Sequence, residues 1–229
     1  MTGPGRGTRG AQRRLVVAAP LAIEARAMRR GLPGGVVVRA GLRARRADRV
    51  VDALRDHDPA VLAVAGVAGA LVPGYTAGDL VVATEVRSAA GTVPCPSAAL
   101  LVAALRERRL RVHTAVLVTV DHVVHGAERA RLAQGGAVAV DMESSALVDA
   151  AGGRPSVVVR AVVDTPERPL LRPATLPGGV AALRSLSAVG PALAAWAAAV
   201  SGSGPDETPK GSTTTTVVSH TPSREVGTS

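Results

Sequence analysis

A chain of 229 residues, 47% of them hydrophobic, suits one domain with a sizeable core rather than a set of small modules. That core has no Phe, one Tyr (Tyr75) and one Trp (Trp196), so Val, Ala and Leu must fill it. The net charge of +9 comes almost wholly from Arg, and no aromatics interleave the basic clusters for base stacking, which argues against a nucleic-acid partner.

Residues 1–13 are rich in Gly, Arg and Thr and are expected to be a disordered tail. Arg14 to Ala19 is an apolar run suited to a buried strand, ended by Pro20. Glu24 and Arg26 interrupt the apolar residues that follow Arg13-Arg14, and no small-residue cleavage site follows. The run therefore reads as the first core strand of a cytoplasmic protein, not a secretory signal. Ile23 to Arg30 predicts a helix, Gly35 to Arg39 a second strand, and about Ala44 to His57 a helix with Val50, Val51 and Leu54 on its buried side. Ala60 to Ala65 predicts a third strand, ending in Gly66-Val67-Ala68-Gly69. Glycines after a buried strand let backbone amides approach a ligand, although tight packing also demands them. Leu80 to Thr84 is a further strand.

Cys95 is the only cysteine, between two prolines, and excludes a disulfide framework. Ser97 to Arg109 predicts an amphipathic helix, Val112 to Val120 a strand, Asp121 to Gly126 a loop and Ala127 to Gln134 a short helix. His122 and His125 share that loop without a third ligand, so no metal site is expected. Ala137 to Val140 is a buried strand running into a helix that ends near Ala151. Asp141, Met142 and Glu143 sit on the join. A carboxylate there caps the helix, which covers Asp141; Glu143 is left as a second acid that could accept two sugar hydroxyls. Ser156 to Val163 is the last strand, followed by Asp164. Arg168 to Pro177 is irregular, Gly178 to Val200 is an apolar helix, and residues 201–229 are a second low-complexity tail. No stretch approaches the roughly 18 consecutive apolar residues of a membrane span.

Alternating helices and Val-rich strands define an α/β fold, a three-layer α/β/α domain over residues 14–200 with a mixed, mostly parallel central sheet. The Gly66 segment, the Asp141/Glu143 pair and Asp164 then lie at strand ends, where such sheets bind ligands.

These residues carry a family resemblance. Ala139-Val140-Asp141-Met142-Glu143-Ser144-Ser145-Ala146 resembles the signature of the purine nucleoside phosphorylase and nucleosidase superfamily. Ala65-Gly66-Val67-Ala68-Gly69-Ala70 with Gly78-Asp79-Leu80, and Arg160-Ala161-Val162-Val163-Asp164, match further pieces in the same order. Val120 to Val124 with Ala127-Glu128-Arg129-Ala130 resembles the branch of hopanoid biosynthesis that removes adenine from adenosylhopane. The resemblance implies cleavage of the N-glycosidic bond of a 5′-substituted adenosine, by water or by inorganic phosphate as co-substrate, with no cofactor. It implies that Asp164 donates a proton to the base, held protonated by its apolar strand, and that Glu24 activates water. Met142, Glu143, Asp141, Gly66 and Val123 would bind substrate, and Arg87 and Gly41 would face phosphate. It also implies a homo-oligomer, and a lipid-like substrate implies peripheral contact with a membrane. Arg43 replaces a loop glycine, Val163 a small polar residue and Val123 a stacking aromatic. These changes fit a more apolar substrate or a weakened enzyme. Methylthioadenosine/adenosylhomocysteine nucleosidase and a non-catalytic nucleoside binder are the alternatives.

Overall fold

The computed structural model describes residues 14–41, 46–168 and 176–202. Arg43 and most of the irregular 168–177 stretch, with both tails up to residue 13 and from residue 203, fall outside them.

Eight strands and six helices alternate in the described chain: β1 (Leu15–Ala19), α1 (Ala22–Gly31), β2 (Val36–Arg39), α2 (Arg46–His57), β3 (Val61–Ala70), β4 (Leu80–Ser88), β5 (Gly91–Pro94), α3 (Ala98–Glu107), β6 (Val112–Thr119), α4 (Gly126–Gln134), β7 (Ala139–Asp141), α5 (Ser144–Asp149), β8 (Ser156–Asp164) and α6 (Leu176–Gly202). Side chains alternate across the strands, and this sorts the core into two layers. Leu15, Val17 and Ala19 pack with Met28 of α1, Leu101 of α3 and Trp196 of α6. Val16 and Ala18 pack on the other face with Val50 of α2 and Leu147 of α5. With aromatics almost absent, branched aliphatics and alanines supply both layers, as the composition requires.

Strands β2, β1 and β3 are parallel neighbours. β8 runs parallel to β3 from Leu62 to Ala68 and antiparallel to β4. β4 is parallel to β6, and β6 to β7. β7 returns antiparallel to the last two residues of β3, Gly69 opposite Val140. The pairings β3–β8–β4–β6–β7–β3 thus close on themselves. At one end of this ring Gly69 pairs with both Val140 and Asp164, and Thr119 pairs with Asp141. The strand ends singled out in the sequence therefore converge.

Three expectations are corrected. Gly66 to Ala70 is not a loop but the continuation of β3, held in the sheet by β8 and β7. β4 extends to Ser88 and turns into β5, a hairpin whose short, exposed second strand has no apolar run to announce it. Pro177–Gly202 is a single helix that is by length and composition apolar enough to cross a membrane, although half of its apolar window is buried inside the domain. That burial is against α1, α3 and β8.

Candidate active site

A cavity of about 250 Å³ opens at this end of the ring. Leu21, Val67, Val124, Val140 and Val163 make its walls largely apolar, and the polar groups are few: Glu24, His122, Arg129, Asp141, Glu143 and Asp164.

Glu24 sits at the third position of α1, where a carboxylate reaches back to the free amides of the helix start. Its Oε2 accepts from Leu21 N at 2.6 Å. Its Oε1 crosses to β3 and accepts from Val67 N at 2.8 Å. The residue is only 1% exposed. Burial pushes its carboxyl above the usual range, and the nearby Arg160 guanidinium and the two amides partly offset this.

Arg160 lies in the middle of β8, in an otherwise Val-rich run, and is fully buried. A buried guanidinium needs partners, and it has them. It pairs with Asp141 Oδ2, and Nη2 and Nε donate to Ser144 Oγ at 2.7 and 3.1 Å. Asp141 Oδ1 also accepts from Thr119 Oγ1 at 2.7 Å, and both its oxygens accept from Ser144 N at the start of α5. Arg160 Nη1 is buried with no hydrogen-bond partner. Glu24 lies nearby across Gly66, beyond ion-pair distance: a Cβ built on Gly66 would stand 2.1 Å from Nη1 and 2.9 Å from Glu24 Oε1. The Gly66 hydrogen is what lets the cation and the acid approach over β3.

At the end of β8 the Asp164 carboxylate pairs with Arg129 of α4, and both line the cavity. Both are largely buried, at 6% and 8% exposure. A Cβ on Gly69 would stand 2.7 Å from Asp164 Oδ1 and 3.0 Å from Arg129 Nη2, so this glycine too clears a place for charge. Met142 and Glu143 cross from β7 to α5 and line the cavity. Val123, 47% exposed, stands at its mouth. His122 beside it bridges Asp121 at 2.7 Å and Glu128 at 2.9 Å. Hydrogen bonds to these carboxylates raise its pKa above the ordinary histidine value.

A family model described as the phosphorylase superfamily matches residues 34–176, more than half of the chain and all of the strands from β2 to β8. The chain belongs to the phosphorylase superfamily. No curated protein matches it in sequence. Among solved structures it is similar to futalosine hydrolase of Helicobacter pylori, at 15% identity, covering 78% of this chain and 97% of that one with a TM-score of 0.67. It is similar to S-adenosylhomocysteine nucleosidase of Streptococcus pyogenes in complex with 5-methylthiotubericidin, at 18% identity, 78% and 94% coverage and a TM-score of 0.65. It is also similar to the 5′-methylthioadenosine/S-adenosylhomocysteine nucleosidase of Neisseria meningitidis in complex with methylthio-immucillin-A, at 18%, with 80% and 97% coverage and a TM-score of 0.65. At these identities the likeness is one of fold.

Within this superfamily fold, Glu24, Asp141, Met142, Glu143, Asp164 and Val123 line one cavity. Four expectations differ. Gly66 does not line it; its role is to make room for Arg160. Asp141 lines it, but its oxygens are taken by Arg160, Thr119 and Ser144, the capping role the local sequence suggested. Asp164 is not surrounded by apolar groups alone, because a guanidinium from a helix 35 residues earlier reaches it. Arg87 and Gly41 do not line the cavity: Arg87 is bound to Glu85 and to the Gly135 carbonyl at 2.7 Å, and Gly41 N donates to Pro20 O. Arg160 and Arg129 had no role assigned from sequence. An arginine inside a Val run announces a buried partner; Arg129, in a short polar helix, gives no such signal.

Proposed function

We propose that the chain hydrolyses the N-glycosidic bond of a 5′-substituted adenosine and releases adenine. The reading is carried by one observation: a buried acid, Glu24, lines one largely apolar cavity together with Asp164, Met142 and Glu143. In this orientation the base lies against Asp164 and Arg129, and the ribose against Met142 and Glu143. The anomeric carbon then faces Glu24. Glu143 accepts the ribose hydroxyls, and its negative charge stabilises the positive charge that develops as the bond breaks. Water in the cavity gives its proton to Glu24, whose charge the buried Arg160 guanidinium offsets. A base whose pKa is lifted toward neutrality is better suited to that transfer, which contributes about 10²–10⁴-fold.

Hydrolysis is preferred to phosphorolysis because neither Arg87 nor Gly41 reaches the cavity, while a buried acid does. The ligands and names of the similar nucleosidases point to the same class of substrate. The apolar walls and the valine at the mouth in place of an aromatic favour an apolar 5′ group, and adenosylhopane remains the proposed natural substrate. The experiment is adenine release from 5′-methylthioadenosine and from an adenosylhopane-type substrate, each with and without phosphate. Phosphate-independent release, faster for the apolar substrate, is expected. Release that requires phosphate would overturn the hydrolytic reading, and no release from either would leave the non-catalytic binder.

A further inference from the structure

The chain between β6 and α4 forms part of the cavity wall, and one side chain ties its start to the helix that follows. Val120 N donates to Asp141 O at 2.9 Å, which anchors this segment where it leaves the sheet. Val124, 4% exposed, packs with Leu71, Ala137 and Val140 and lines the cavity. Val123 lines it too, at the mouth. Gly126 then turns the chain into α4 at a φ of 50°, a conformation that glycine adopts without strain.

His122 spans this turn. Its Nδ1 lies 2.7 Å from Asp121 Oδ1 and its Nε2 lies 2.9 Å from Glu128 Oε2, so the ring joins the start of the segment to the first turn of α4. A neutral imidazole carries one N–H and one lone pair, and an ionised carboxylate only accepts. Two ring nitrogens that both face carboxylates therefore call for two N–H groups, which only the imidazolium has. The same hydrogen bonds hold the Asp121 and Glu128 carboxyls below their usual range. Arg131 of α4 shares Glu128 at 3.3 Å, and Arg129 beside it pairs with Asp164. His125 is the other titratable group of the segment, and Glu24, Asp141 and Glu143 are the remaining acids that line the cavity.

We propose that His122, as an imidazolium bridging Asp121 and Glu128, is the positioning residue that holds Val123 across the cavity mouth, so that substrate is held less tightly once the ring loses its proton. The inference rests on the reading of this cavity as the substrate site. Loss of the proton leaves a lone pair facing one of the two carboxylates, and that contact breaks. The side chains of His122, Asp121 and Glu128 are 53%, 94% and 30% exposed, so water screens the bridge and its effect on KM is modest, about two- to fivefold. Glu24 acts in the opposite sense: it fails as a base when pH falls, whereas the bridge fails when pH rises.

The test follows the His122 ring and the methyl order parameters of Val123 by NMR on the full chain, with KM and kcat for 5′-methylthioadenosine measured over the same range, about pH 5 to pH 9. The His122 midpoint is expected above the ordinary 6.5. The Val123 order parameters are expected to fall, and KM to rise about two- to fivefold, through that midpoint with no matching step in kcat. E128Q removes one anion, and its carboxamide can pair with either form of the ring. In E128Q the midpoint is expected to drop and the KM step to vanish; a side chain with a merely structural role would show neither change. A His122 midpoint at or below 6.5, Val123 methyls that ignore it, or an E128Q protein that keeps the KM step each overturns the proposal. The wild-type titration decides it alone should E128Q fail to fold. Turnover with no such titration at His122 would refute this inference alone. No turnover at any pH, with the ring and Val123 changing together, would refute the adenosine-cleaving reading and leave the bridge in place.

Discussion

Gly66→Ala should damage the site from below, at a residue that does not itself line the cavity. The added Cβ would lie 2.1 Å from Arg160 Nη1 and 2.9 Å from Glu24 Oε1. Ordinary contact demands that the guanidinium retreat by about 1.3 Å or more. It is not free to retreat, because Nη2 and Nε are tied to Ser144 and Asp141 in a fully buried setting. Overpacking of this kind costs about 1–3 kcal/mol, which in a domain of this size lowers Tm by about 2–12 °C. A displacement of about 1 Å in catalytic groups costs about 10²-fold in rate. Thermal unfolding and adenine release, measured together, check both numbers. Gly179→Ala is the control: nothing lies within 4 Å of its Cβ, and in a helix the change is expected to be neutral or slightly stabilising. A Gly66→Ala protein with wild-type Tm and rate would refute the claim that this glycine makes room for Arg160.

Glu24→Gln is expected to lower kcat by about 10²–10⁴-fold. Because burial raises the Glu24 pKa above its ordinary 4.5, the acid limb of the wild-type kcat/KM profile should lie above that pH, activity falling as pH falls through the raised value. The same shift acts oppositely on stability: the folded state binds the proton more tightly, so its contribution is complete below the unfolded pKa and is lost as pH rises through the folded one. Urea unfolding should show that slope in the wild type and lack it in Glu24→Gln. Arg160→Met leaves the Asp141 carboxylate buried without its cation and should cost about 3–5 kcal/mol; adding Asp141→Asn should recover part of the loss, and strictly additive losses would contradict the pairing. Arg87→Ala removes contacts to Glu85 and Gly135 only, so adenine release should stay within about twofold of wild type at any phosphate concentration, whereas a loss restored by raising phosphate would put Arg87 back in the site.

The sequence by itself determined the order of the elements and the existence of all those described except β5, because hydrophobic period and breaker residues are local properties. The unbroken apolar run Leu15 to Ala19 marks a strand buried on both faces, and Gly152-Gly153 closes the helix after Asp141. It also determined that Asp141, Glu143 and Asp164 end strands, and in a sheet that is mostly parallel those ends share an edge. What only the tertiary structure decided was the partner of each charge. Whether Gly66 serves a ligand or an arginine depends on β8 lying beside β3, a pairing between residues nearly a hundred positions apart. Arg129 reaches Asp164 across 35 residues because α4 packs over the end of the ring, and Arg87 is drawn away from the cavity by the carbonyl of Gly135. A charge's function is set by the dielectric and the opposite charge around it, and both are properties of the packed chain rather than of any segment.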